Sequence, residues 1–343
     1  MNAKTNNTAK PNQIHIMTVS FSKPATARSA NFVNSMERSE LLAVFSGHSG
    51  AVYDAAFWEA TGRWVTAAGD GVVAQWDADG QGTALLHHAS PFFSVTTFGD
   101  WLFAGGASGE VMVMHRDGRP PQRVEAHELG VFALAVAGGG LWSGGGSGAI
   151  RPWTFNGDRW QPGPAFRVPD GSKVRTLLPD ADRWLVGTSA GWLGTFSPSF
   201  GFSRFEDAPE TGHYSAVRAR DRAAWIVADG DGHLRAYRDD GSLVLAFPAH
   251  QGPVYRMVQV GETVWTASRD KSIKAWRTRD LAPVDKVSFQ NGGHTRSVNA
   301  LVAASTPGGW QLLTGGDDRR ARLFGLTDSG CLATNPPAQP RIP

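Results

Sequence analysis

His250, Thr266, Asp270 and Trp276 set a histidine, a hydroxyl, a carboxylate and an indole at fixed spacing. The first three are the groups of nucleophile–base chemistry, so the set first reads as a catalytic motif. It recurs, however, along most of the chain. Anchors at the histidine place are His48, His88, His127, Asp170, His213, His250 and His294, a period near 40 residues. An enzyme needs one such set. Repeated copies read as structural staples instead. A buried aspartate needs partners, and a histidine, a hydroxyl and an indole N–H can supply them.

Other apparent chemistry dissolves on inspection. Asp229-Gly-Asp-Gly232 resembles the start of a calcium loop, but Leu234-Arg-Ala-Tyr237 follows as a strand where further ligands are needed. The glycine-rich stretch Gly144 to Gly148 lacks the lysine and helix of a phosphate loop. His87-His88 has no carboxylate set at metal-ligand spacing, and His88 falls on the repeat anchor. The single cysteine, Cys331, excludes an internal disulfide and a Cys-based zinc site. No catalytic, cofactor or metal residue is expected.

The elements that carry the repeat are short strands. A chain of 343 residues with 41 glycines and 20 prolines suits strands joined by tight turns. Its length exceeds a single compact core of about 250–300 residues, a limit that repeats avoid because each unit packs only on its neighbours. A second mark is tighter than the anchors. Asp70, Ser108, Ser147, Ala190, Asp231, Asp270 and Asp318 each precede a closing residue by six positions: Trp76, Met114, Trp153, Phe196, Tyr237, Trp276 and Phe324. The polar residues 1–39 read as a flexible arm, with 13–21 alternating well enough for a strand, and 328–343 as a proline-rich tail.

The sequence resembles the WD40 family of β-propellers over about residues 40–327. Gly47-His48, Thr66, Asp70 and Trp76-Asp77 match the family pattern most fully. His250, Thr266, Asp270 and Trp276 follow, then His294, Thr314 and Asp318 with Phe324 for tryptophan. The second and fourth units are worn. The resemblance implies an all-β fold: a seven-bladed propeller of four-stranded antiparallel blades. It also implies that the strand at Leu41–Phe45 is the outer strand of blade seven and closes the ring. Units one, six and seven are expected to be the stiffest.

Functional residues are then those that differ between units. Five positions past each anchor lies a strand residue expected at the channel mouth: Tyr53, Phe93, Phe132, Arg175, Arg218, Tyr255 and Asn299. In the family this rank often lines a mouth that grips a peptide side chain, and aromatic faces there can sandwich an arginine. A second ring, one residue before each hairpin acid position, is small in units one to five and charged at Arg269 and Asp317. The expected role is a non-catalytic scaffold that binds a protein or peptide across the mouth, as a monomeric propeller within a larger complex. The alternative is a propeller subunit of an enzyme complex, or an enzyme with its active site at the mouth. A net charge of +2, with 33 basic and 31 acidic residues, disfavours nucleic acid. Arg269, Arg319, Arg320 and Arg322 form the one local basic cluster. No apolar run of membrane-spanning length occurs, and a cytoplasmic location is expected.

Overall fold

The protein is described from a computed structural model over residues 39–219 and 224–326. The expected arm strand at 13–21 and the proline-rich tail lie outside these residues. Seven antiparallel sheets follow one another along the chain, each of four strands, with the outer strand of the third split in two. Their innermost strands are Val52–Trp58, Phe92–Phe98, Val131–Ala137, Val174–Asp180, His213–Ala219, Val254–Val260 and Val298–Thr306. Ser39–Ser46 is the outer strand of the last sheet and pairs with Arg320–Leu326 from Ser39↔Leu326 to Ser46↔Arg320. The ring is therefore closed by the chain's first described strand, as expected. Ser39 itself, assigned to the arm from sequence, belongs to this strand. Its N–H and hydroxyl both donate to Asp285 of blade six, at 3.0 and 2.8 Å. Among the described residues no helix is long and apolar enough to cross a membrane.

The core is a ring of seven apolar layers, each shared by two adjacent blades. Phe45, Val52, Trp64 and Trp76 pack with Leu313 and Leu323 across the closing joint between blades one and seven. Polar stitches run inside the same layers, from residues two places past the start of the inner strands of blades two, four and five. Ser94 donates to the Val131 carbonyl, Thr176 donates to the His213 carbonyl, and Ser215 accepts from the Met257 N–H. The residue after each hairpin acid position has positive φ in every blade. It is glycine in five blades, while Lys271 and Arg319 hold φ of 71° and 65°.

The staples form in blades one, six and seven. His48 meets Asp70 at 3.0 Å and Thr66 at 2.8 Å, and the Trp76 indole donates to Thr66 at 2.8 Å. His250, Asp270, Thr266 and Trp276 repeat this at 2.9, 2.8 and 3.0 Å. His294 meets Asp318 and Thr314 at 2.8 and 2.9 Å, with Phe324 closing the strand. An ionised carboxylate can only accept, so Nδ1 of each histidine carries the proton. Nε2 then accepts from the threonine hydroxyl, whose oxygen takes the indole N–H in blades one and six. Every donor has a use, and no lone pair on the ring is left for a general base.

Charges adjust to this arrangement. Burial opposes ionisation of Asp270, but bonds from His250 and Ser272 outweigh it and hold its pKa well below the carboxylate range. Asp318 is held low in the same way by His294 and Arg322. Burial lowers the pKa of His250 and His294 and prevails over the aspartates.

The worn units replace the staple with other polar pairs. In blade two Glu110, a fully buried acid two residues past the expected place, lies 3.4 Å from His88, but neither of its oxygens accepts a hydrogen bond. In blade four the acid moves to the anchor, and Thr188 donates to Asp170 at 2.6 Å. The fifth unit corrects the sequence reading. His213 is not an entry histidine: it sits inside the inner strand, opposite Asp229, where blade one has Val52 opposite Ala68. His213 and Asp229 are fully buried and bonded to each other. Arg235 bonds both Asp229 and Asp231. The expected basic cluster also loses a member, because Arg322 is buried and bonded to Asp318.

Blade three shows a gap that one carboxylate would fill. His127 and Trp153 bond Ser143, but Ser147 stands at the acid position. His127 Nδ1, Ser147 Oγ and Arg151 Nε are all buried without partners. Blades five, six and seven pair a cation with the acid four residues earlier, as Arg151 stands to residue 147. Ser147→Asp is therefore expected to raise unfolding free energy by about 1–3 kcal/mol, the scale of a hydrogen bond to a charged group, measured by urea denaturation. An unchanged or lower value contradicts the assignment.

Stability should also depend on pH in a fixed direction. His250 and His294 titrate below an ordinary imidazole, and burial with Arg151 nearby pushes His127 down to about 4. Asp70, Asp270 and Asp318 titrate below ordinary carboxylates. For both classes the unfolded chain takes up protons first, so the contribution is complete above about pH 7. It falls below about pH 6.5 as unfolded histidines charge, and again below about pH 4 as unfolded aspartates do. The thermal midpoint is expected to fall steadily on acidification from about pH 6.5. A midpoint that rises over that range contradicts this account.

Candidate functional site

Each inner hairpin carries a β-bulge after the first residue of its inner strand. The register slips between Val52 and Asp54, Phe92 and Ser94, Val131 and Ala133, and Val174 and Thr176. It slips likewise between His213 and Ser215, Val254 and Arg256, and Val298 and Ala300. The residues left unpaired are Tyr53, Phe93, Phe132, Arg175, Tyr214, Tyr255 and Asn299. A bulge re-aims a side chain out of the pleat. All seven line one recess of about 510 Å³ at the end of the channel, with Lys173, Ser189, Arg256 and Asp317. Six of these seven are the residues expected from the sequence.

The seventh is corrected. Arg218 was expected at the mouth, but it stands five residues past His213, near the far end of its strand. There it pairs with Asp180 and Asp239, at 3.4 and 2.7 Å, and covers the Trp225 ring. Tyr214 takes the mouth position in blade five. Its signal was present in the sequence, because five of the seven mouth residues follow a buried valine: Val52, Val131, Val174, Val254 and Val298. His213 occupies that place in blade five and mimics an anchor. Of the second ring, Asp317 lines the recess and accepts a bond from Asn299 at 2.7 Å. Arg269 is exposed on the blade-six rim beside Gly252 and does not line the recess. The small residues of that ring have a packing reason. A Cβ on Gly69, Gly146 or Gly230 would press on Tyr53, Phe132 or Tyr214 at 3.1–3.2 Å.

The mouth is aromatic through blades one to three and mixes tyrosines with cations through blades four to six. Phe93 stacks on Phe132 at 4.9 Å, Tyr53 meets Phe93 edge-on at 5.5 Å, and Tyr214 tilts against Tyr255 at 5.7 Å. Arg175 lies between Phe132 and Tyr214, at 5.5 and 5.1 Å from the ring centres, and Lys173 lies over Phe132 at 5.2 Å. Burial and the nearby Arg256 pull the Arg175 pKa down to about 10. Arg256 has a counter-charge, since its Nε lies 3.3 Å from Asp54.

A larger recess, about 640 Å³, lies between the outer loops of blades six and seven, lined by Lys271, Lys274, Lys286 and Phe289 among others. Its one carboxylate, Asp270, is committed to His250 and Ser272. Among the described residues no three His, Cys, Asp or Glu side chains gather as a metal set.

Comparison with known proteins places this geometry. A family described as the IP5P C-F β-propeller matches residues 43–156. Two curated relatives from Arabidopsis thaliana are similar over parts of the chain. Type I inositol polyphosphate 5-phosphatase 13 is 32% identical over 34% of this chain and 10% of its own length. Type II inositol polyphosphate 5-phosphatase 14 is 27% identical over 46% and 12%. The chain thus spans about a tenth of the length of the curated relatives it matches. Among solved structures, the WD40 β-propeller domain of Doa1 superposes with a TM-score of 0.73 at 15% identity, over 84% of this chain and 97% of that one. The computationally designed Ika8 protein superposes at 0.61 and 17% identity, over 83% and 99%. With its seven four-stranded blades and its His–Thr–Asp staples, the chain is a β-propeller of the WD40 fold.

Proposed function

We propose that this propeller is a non-catalytic scaffold that binds a protein or peptide partner across its channel mouth. The observation that carries this reading is the bulge in every blade. Seven bulges release seven side chains into one open recess, although the fold needs none of them for its strand ladders. Aromatic and arginine side chains dominate that rank, and these types concentrate binding energy in protein interfaces. In blades one, six and seven the polar residues that could do chemistry are used elsewhere, in closed hydrogen-bond chains.

The relatives that share part of this propeller are named as phosphatases, and this favours a second reading: a propeller that serves an enzyme as a domain or subunit. Both readings use the mouth as a docking surface. The scaffold reading places no reacting group in it. Cytoplasmic residence and a monomeric propeller within a larger complex belong to the same proposal.

Affinity capture with the tagged chain tests the mouth. Tyr53→Ala, Phe132→Ala and Tyr255→Ala together are expected to lose the captured partners while leaving the circular dichroism spectrum unchanged. Retention of the same partners by the folded triple variant contradicts the proposal.

A further inference from the structure

An aromatic cage attracts cations through its ring faces. Here the cage is already filled. Arg175 occupies the space between Phe132 and Tyr214, and Lys173 covers the outer part of Phe132. A partner's arginine or lysine would meet Lys173, Arg175 and Arg256, against one lining carboxylate, Asp317, which is already engaged by Asn299. Of the three cations only Arg256 has an acidic partner, Asp54. Among the described residues no carboxylate pairs with Arg175 or Lys173. Arg175 Nε is buried without an acceptor. A charged donor held without a hydrogen bond is costly, and an outside anion that supplies the acceptor removes that cost.

The surroundings narrow the source of the anion. The wall of the mouth is apolar through blades one to three, formed by Tyr53, Phe93 and Phe132. Leu129 extends it onto the rim: it is 55% exposed and packs against the same glycine, Gly146, as Phe132. An acid beside an apolar side chain fits this surface. A long polyanion does not, because the small and aromatic rim of blades one to three offers it no counter-charge.

We infer that the mouth takes an aspartate or glutamate side chain of a peptide, its carboxylate seated on Arg175 and an adjacent apolar residue on Leu129. This rests on the mouth being the partner-binding surface and specifies what that surface selects. It departs from the family pattern in which aromatic faces at the mouth can sandwich a partner's arginine.

The test pans a random peptide library, displayed on phage, against the immobilised full chain, against Phe93→Ala and against Arg175→Gln. Arg175 makes no hydrogen bond among the described residues, so Arg175→Gln is expected to keep the fold, checked by its thermal midpoint. Peptides that bind the wild type and not Phe93→Ala are expected to carry Asp or Glu next to Leu, Ile, Val or Phe. A synthetic peptide of that kind should lose at least about tenfold in affinity when its acid becomes the amide, or when the chain carries Arg175→Gln, as the loss of a charge-assisted hydrogen bond implies. Arg175→Lys should restore part of the loss. Mouth-dependent peptides rich in Arg or Lys, or indifferent to charge, overturn this inference and leave the mouth as the interface. Failure to select any mouth-dependent peptide overturns the interface reading as well.

Discussion

A buried threonine hydroxyl is the joint on which the intact blades depend. In blade one the Trp76 indole donates to Thr66, which leaves Thr66 to donate to His48, which in turn donates to Asp70. The direction of every proton is fixed by the two ends, an indole that can only donate and a carboxylate that can only accept. The chain ties the third strand to the hairpin turn and to the segment that enters the inner strand. Because it closes with no spare donor or acceptor on the imidazole, it is structural rather than reactive. The same physics shows where blades diverge. When the acid is absent, as in blade three, or displaced, as Glu110 is in blade two, buried atoms are orphaned; in blade four the displaced acid, Asp170, pairs with Thr188.

Holding the third strands and hairpin turns this way lets the inner strands be irregular. A bulge at the same place in seven hairpins weakens each ladder by one pairing. The ring tolerates it because shared apolar layers and the stitches at Ser94, Thr176 and Ser215 hold the inner strands to one another. The gain is a set of seven side chains whose identity the fold does not dictate. Staple residues repeat in blades one, six and seven because each of those blades is tied by them. Mouth residues differ because the ring presents one combined surface.

The sequence carried the architecture because its strongest signal is local. The six-residue step from hairpin acid to closing aromatic lies within one turn and one strand, so loop variation cannot blur it. Ring closure was legible for a similar reason: an apolar strand before the first anchor has no inner strands of its own. The mouth was legible in six blades and misread in the fifth, where His213 took the place of a valine and shifted the frame by four residues to Arg218. Glu110, Asp229 and the burial of Arg322 were not legible, since each depends on which side chain a neighbouring strand brings close. The occupation of the aromatic cage by Arg175 was not legible either. The sequence placed a cation and rings in one rank, but only the folded ring shows that they face each other.

The staples hold the fold, while the mouth carries a charge that the fold does not need. The most direct measurement is the unfolding free energy of Arg175→Met, which keeps the bulk between Phe132 and Tyr214 and removes the guanidinium. Urea denaturation should show it within about 0.5 kcal/mol of wild type, or more stable, because an unpaired buried charge is a cost to folding. Thr266→Val, which keeps shape but leaves His250 and Trp276 unsatisfied, should lose at least about 2 kcal/mol in the same experiment. A loss for Arg175→Met as large as that for Thr266→Val would make Arg175 a structural plug and contradict the account.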